Sequence, residues 1–374
     1  MSSTDVVVIG AGAVGCATAY FLTRRGVKPI VLEKDSIGSH ASGFAFGGLT
    51  PFTLSDRPGP EYPLAKEAMR LHAELAAALK DDAGIDTSFE RLSFGALAED
   101  DAERAALTSC FPWLRAEGYG PEWLDVDALR RIDPRFAPDF AGAIRATGSA
   151  MVEAYRYTLA LGQAAEKGGA EVRNGQVTGL RIDGGRVRGV ETRAGPIACD
   201  QVVVAAGPWT GPASEWLGVE VPVRPLKGQI VRLQLQGGRL EGRFSWHGQY
   251  FATKPDGMVW AGTTEEAVGF DESTTTEARD EILLPLGRFF PALLDAGIVQ
   301  QTACLRPYSG DGLPIIGRAP VADGVWIATG GGRRGILFSS VMGQIAADLV
   351  VSGRSELDFS PFALERFAGS AAKG

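Results

Sequence analysis

Histidine and cysteine are scarce in this chain, with three and four among 374 residues. The three histidines lie far apart in sequence, which argues against a metal centre built on imidazole. Cys16, Cys110, Cys199 and Cys304 are equally scattered and form no C-x-x-C pair. Neither a zinc site nor a disulfide framework is expected, and a reducing, cytoplasmic setting fits. Positive charge is also in deficit. Lysine and arginine total 37 against 45 acidic residues, giving a net charge of −8 and a pI near 5.2. A nucleic-acid partner would call for a basic face. No apolar run approaches the ~20 residues of a membrane span, the N-terminus lacks the basic segment of a signal peptide, and no 20–50-residue repeat is present.

Glycine, by contrast, is abundant: 49 residues, about twice the ordinary usage of ~7%. With no low-complexity run, these glycines are expected at turns and at close backbone approaches rather than in disorder. The first element shows such a use. Val6-Val7-Val8-Ile9 is a continuous β-branched run, the pattern of a parallel strand buried on both faces. It leads into Gly10-Ala11-Gly12-Ala13-Val14-Gly15, then a helical stretch to Arg25, then a second buried strand, Ile30-Val31-Leu32, ending at Glu33 and Lys34. In this G-x-G-x-x-G the first glycine makes the turn, the second admits a pyrophosphate against the backbone, and the third lets helix and strand pack. Phosphate then meets the free N–H groups at the helix start. Glu33 is placed to accept from ribose hydroxyls and would repel a 2′-phosphate. Dinucleotide binding follows; FAD or NAD is left open by this loop.

Helical periodicity marks Pro63 to Lys80, a helix between Gly148 and Gly169, Thr275 to Phe290, and Gly335 to Val351. Strands are expected within Gly179–Val204, Val221–Leu235, Tyr250–Thr264 and Val325–Ala328.

Four further segments, taken with the nucleotide loop, resemble the D-amino-acid oxidase superfamily of flavoenzymes, in particular its glycine oxidase and sarcosine oxidase branch, from Asp5 to about Val351. The first is Gly38-Ser39-His40-Ala41-Ser42-Gly43 with Gly47-Gly48-Leu49-Thr50-Pro51. In the family this stretch runs along diphosphate and flavin, which implicates Ser42, Gly43, Gly48 and Leu49. The second is Val202-Val203-Val204-Ala205-Ala206-Gly207-Pro208-Trp209, which implicates Ala206, Gly207 and Trp209 in closing over the dinucleotide; Val177 matches the position of backbone contacts to adenine. The third is Leu305-Arg306-Pro307-Tyr308-Ser309-Gly310-Asp311-Gly312-Leu313-Pro314. Its arginine grips the substrate carboxylate in glycine oxidase-like proteins, a role that suits a permanently charged, forked donor; an Arg–Asp pair internal to the loop is the structural alternative. The fourth is Thr329 to Leu337, which directs a helix N-terminus and Gly332, Arg333, Arg334, Gly335 and Ile336 at the flavin. Whether Arg333 faces flavin, substrate or solvent is left open. Tyr250, twelve residues before Gly262, matches the family's substrate-facing tyrosine.

Two positions depart from the pattern. Cys304 stands where sarcosine oxidase-like relatives bond the flavin covalently, while a buried, unreactive cysteine is the ordinary reading. Trp260 stands where those relatives place a lysine that helps oxygen react, so dioxygen and a quinone or other carrier both remain as electron acceptors. Glu265 is read as a solvated glutamate or a partner for a substrate cation.

The resemblance implies an α/β (α+β) two-domain fold: a Rossmann-like FAD-binding domain from 1–84, 143–217 and 296–374, and a smaller antiparallel-sheet substrate domain from 85–142 and 218–295. It implies FAD as cofactor, no metal, and a small amino acid or N-alkyl amino acid as substrate, with Arg306 and Tyr250 as the substrate-binding pair. The competing readings are a flavin-dependent 2-hydroxy acid dehydrogenase, an NAD-dependent dehydrogenase, and a flavoprotein subunit of a larger complex. Homo-oligomerisation is left open.

Overall fold

In the computed structural model, which describes residues 4–368, the β-branched run becomes the strand Val6–Ile9 at the centre of a six-stranded sheet. Residues 1–3 and 369–374, the extremities of the nucleotide-domain segments, lie outside the described residues. Val6–Ile9 pairs in parallel with Ile30–Glu33 on one side and Gln201–Val204 on the other. Glu171–Asn174 closes one edge; Val325–Thr329 and the antiparallel Ile315–Arg318 close the other. Strand alternation splits the core into two layers. Val6 and Val8 face four helices, Ala13–Thr23, Tyr62–Ala83, Ala154–Lys167 and Gly335–Ser352. Val7 and Ile9 face a three-stranded sheet formed by Val177–Asp183, Arg186–Thr192 and Ile197–Ala198. Gly343 lets two of the helices touch, since a Cβ there would stand 2.5 Å from that of Ala17. Residues Gly332–Ser352 are long and apolar enough to cross a membrane, and most of that segment is packed inside the molecule as a core helix.

The second layer system is a nine-stranded, mainly antiparallel sheet. Its path runs Gly297–Ser309, Val223–Gln234, Val259–Gly262, Gln249–Thr253, Arg243–Trp246, Glu90–Ala98, Gly142–Met151 and Gly48–Leu49, with Glu122–Leu124 added against Gly142–Met151. Alternation again sorts its faces. Phe251 and Val231 enter a phenylalanine-rich core with Phe244, Phe289 and Phe290, whereas Tyr250 and Ile230 point the other way, with Phe46. The domain boundaries drawn at 142/143 and 295/296 cut through this sheet. Gly297–Ser309 pairs along its length with Val223–Gln234, and Gly142–Met151 pairs with Glu90–Ala98. The strand carrying Arg306 is therefore part of this large sheet.

Candidate active site

A single cavity of about 640 Å³ runs from the C-terminal end of Val6–Ile9 to the open face of the large sheet. At its nucleotide end the three glycines play three different parts. Gly10 has φ +102°, and a Cβ there would lie 2.5 Å from the Ala205 carbonyl oxygen; a Cβ on Gly15 would lie 1.9 Å from the carbonyl oxygen of Gly10. Gly12 meets only the Ser42 hydroxyl, at 3.3 Å, and lines the cavity. The Ser42 hydroxyl in turn accepts from the Ala13 N–H at 2.9 Å. Glu33 holds the loop together through both carboxylate oxygens, accepting from Ala11 N–H at 2.8 Å and Asp35 N–H at 2.9 Å. Lys34 places its ammonium 3.8 Å from the centre of the Trp209 ring, and the His40 ring packs against the same indole at a tilt of 57°.

Of the remaining residues expected around a cofactor, Val14, Gly48, Val177, Ala206, Gly207, Gly332, Arg333, Arg334, Gly335 and Ile336 all line the cavity. Gly15, Gly43 and Leu49 do not. Gly15 and Gly43 lie hard against the carbonyls of Gly10 and Gly38, and Leu49 is wholly buried in the helix-side core.

At the far end stand Arg306 and Tyr250. Arg306 is 9% exposed. Its guanidinium donates to the Thr264 carbonyl at 3.1 Å and to the Thr263 hydroxyl at 2.6 Å, which uses two of its five N–H donors. It has no carboxylate partner among the described residues. Asp311, the acid of the same loop, is taken instead by Arg366 at 2.7 Å, so the internal Arg–Asp pair does not form. Room for the guanidinium comes from Gly228 on the adjacent strand, where a Cβ would lie 1.9 Å from Nη2. Tyr250 is buried against Phe46, and its hydroxyl makes no hydrogen bond among the described residues. Burial holds its phenol above the ordinary range, while Arg306, Arg243 and Arg333 pull the other way. It remains a protonated donor at neutral pH.

The two arginines after the glycine turn have different tasks. Arg333 is exposed, pairs with Glu265 at 2.8 Å and donates to the Gly248 carbonyl, tying hairpin to turn at the cavity edge. Arg334 pairs with Glu61 at 3.2 Å and donates to the carbonyls of Thr50 and Pro51. Cys304 lines the cavity, and burial raises its thiol pKa, which disfavours the thiolate. Trp260 packs behind Phe46 and bonds Asp256.

Sequence reasoning missed Arg243, Phe46, Gly228 and the Thr263–Thr264 pair. A glycine inside a strand is a recognisable sign of close approach, and Gly228 carried it. Arg243 carried none, since an arginine beside a glycine reads as surface by default.

The family model for FAD dependent oxidoreductases matches residues 5–349. The chain belongs to that family. It is 30% identical to the glycine oxidase of Pseudomonas putida over 366 residues, covering 97% of this chain and 99% of that protein. The crystal structure of glycine oxidase from Geobacillus kaustophilus superposes with a TM-score of 0.93 at 29% identity, covering 98% and 99% of the two chains. That of iminodiacetate oxidase from Chelativorans sp. BNC1 gives 0.87 at 28%, covering 96% and 98%. The cofactor is FAD. The residues present fit it: the glycine turn leaves bare backbone facing the cavity, the N-terminus of Ala13–Thr23 would offer N–H groups to the diphosphate, and Glu33, also on the cavity wall, would be the acid toward the ribose.

Proposed function

We propose that this FAD-dependent oxidoreductase oxidises the carbon–nitrogen bond of a small amino acid or N-alkyl amino acid. The observation that carries the reading is Arg306: a buried guanidinium on the cavity wall, fixed by two neutral oxygens and lacking a carboxylate of its own. Charge buried without a partner is costly, and a substrate carboxylate offsets that cost with paired, charge-assisted hydrogen bonds. Tyr250 adds a neutral donor to the same carboxylate.

With the carboxylate held, the Cα–H or N-alkyl C–H is presented in one orientation, and positioning of this kind accounts for a large part of such accelerations. The nitrogen must be neutral before its lone pair can assist the breaking C–H bond. Arg306 and Arg243 favour the neutral amine by repelling the ammonium form. Bound FAD would supply the two-electron acceptor for the departing hydride, with dioxygen or a quinone-type carrier as the final acceptor. The C=N product takes up water and separates into an oxo acid and ammonia or an amine. Among the described residues, the wall around Arg306 and Tyr250 holds Arg243, Phe46, Phe94 and Ile230 but neither histidine nor carboxylate. That composition favours amines over 2-hydroxy acids, whose hydroxyl proton calls for a base. The scattered cysteines, all free and buried among the described residues, support a cytoplasmic setting.

The test is an anaerobic absorbance titration of the purified holoenzyme with glycine, sarcosine, D-proline and a panel of D- and L-amino acids. Bleaching of the flavin band by at least one is expected, and subsequent admission of air separates dioxygen from other acceptors. Bleaching by 2-hydroxy acids alone would overturn the reading.

A further inference from the structure

Four arginines line the cavity: Arg243, Arg306, Arg333 and Arg334. Two are neutralised by the protein, Arg333 by Glu265 and Arg334 by Glu61. Among the described residues, two are not. There Arg306 donates hydrogen bonds only to Thr263 and Thr264, and Arg243 only to the Thr50 hydroxyl, at 3.2 Å. The acids on the cavity wall are Glu33 and Glu215. Glu33 is engaged with the nucleotide loop, and Glu215 belongs to the short helix Ser214–Leu217 after the second nucleotide segment. Neither forms an ion pair with the two free guanidinium groups.

Arg243 is enclosed by the rings of Phe46, Phe94 and Tyr250, at 5.3, 5.5 and 5.1 Å from its Cζ. Its Nε is buried without a hydrogen-bond partner. Burial lowers its pKa to about 10, which still leaves it cationic at neutral pH. The aromatic faces offset part of the desolvation but accept none of the forked N–H donors. Tyr250 pairs in the sheet with Gly262, next to the Thr263 that Arg306 holds, and its ring lies 5.1 Å from the Arg243 Cζ, so the two unpaired cations flank one small volume of the shared cavity. A single carboxylate neutralises one of them.

We propose that the substrate carries two carboxylates, the second bound by Arg243. This rests on the amine-oxidation reading above and narrows it to amino diacids. The second carboxylate sits either on an N-carboxyalkyl group or on the side chain of the amino acid.

The test begins with binding. Thiodiacetate and (methylthio)acetate are a diacid and a monoacid of similar length without an amine. Each is titrated into the holoenzyme while perturbation of the flavin spectrum is followed. The diacid is expected to bind about tenfold tighter or more, as a charged hydrogen-bonded contact is worth. Arg243→Met should collapse that preference, whereas Arg243→Lys should keep part of it. Equal binding of the two acids by the wild-type holoenzyme overturns the inference, as does a preference that survives R243M; Arg243 would then answer the cofactor instead. Should R243M fail to retain FAD, the wild-type and Arg243→Lys titrations decide.

Turnover arms distinguish the two diacid classes: iminodiacetate against sarcosine, and D-aspartate or D-glutamate against D-alanine. A preference for thiodiacetate with no amine substrate bleaching the flavin would sink the amine-oxidation reading and leave the second-carboxylate site standing. Bleaching by sarcosine without any diacid preference would do the reverse.

Discussion

Replacing Gly228 by alanine should disable carboxylate capture while sparing the cofactor. The added methyl would lie 1.9 Å from Nη2, 2.2 Å from Cζ and 2.3 Å from Nη1 of Arg306. Non-bonded contact needs roughly 3.5 Å, so the guanidinium must retreat by roughly 1.5 Å. Because the atoms met belong to the end of a flexible side chain, the strand itself can stay paired and the arginine moves. That movement withdraws it from Thr263 and Thr264 and from the carboxylate it would hold. A misplacement of about 1 Å can cost on the order of 100-fold, equivalent to about 2.7 kcal/mol of barrier. Gly228 is not on the cavity wall, so FAD content should be unchanged. The assay is kcat/KM with the best substrate from the anaerobic titration, together with the Kd of a non-reacting carboxylate followed through the flavin spectrum. If Gly228→Ala holds that carboxylate within about threefold of wild type, Arg306 is not the clamp and the reasoning fails.

Glu33→Ala removes the acceptor for two loop N–H groups and the expected ribose partner, so FAD affinity should fall about tenfold or more; equilibrium dialysis against free FAD measures it, and unchanged retention would refute the role. Cys304, its thiol favoured by burial, should leave the flavin unbonded, so acid precipitation should release all FAD into the supernatant; a yellow pellet would count against this. His72 is 1% exposed and donates from Nε2 to the Ile336 and Leu337 carbonyls at 2.9 and 3.1 Å. Burial lowers its pKa from 6.5 to about 4, so the unfolded chain binds the extra proton first as pH falls. Stability is therefore full above pH 6.5 and declines toward pH 4, by about 2 kcal/mol at pH 5. Urea midpoints measured across that range should lose this component in His72→Gln, and parallel pH profiles for the two proteins would contradict it.

The nucleotide end was legible because its physics is local. The strand Val6–Ile9, the glycine turn and Glu33 lie within 28 consecutive residues, and each glycine is required by a contact its neighbours impose. Arg306 was legible through resemblance, although only the structure shows that Asp311 belongs to Arg366 rather than to it. The strands Glu90–Ala98 and Gly142–Met151 were missed. They are rich in small residues and pair across about fifty positions, so neither advertises its partner. The same non-locality hid the pairing of Gly297–Ser309 with Val223–Gln234. Arg243 was invisible for another reason: its burial depends on three rings brought from Phe46, Phe94 and Tyr250, none of them its sequence neighbours.

The position of the helix Gly335–Ser352 has a consequence for how the protein is made. It packs directly on Ala13–Thr23, the helix that follows the phosphate turn, and the strand before it completes the parallel sheet against Gln201–Val204. During synthesis the glycine turn is made more than 300 residues before the helix that covers this flank of Ala13–Thr23. The nucleotide-binding layer therefore cannot mature domain by domain from the N-terminus in the usual way. Apolar surface on Ala17 and its neighbours stays open until Gly343 and its helix have been made, and the layer behind the glycine turn is complete only then.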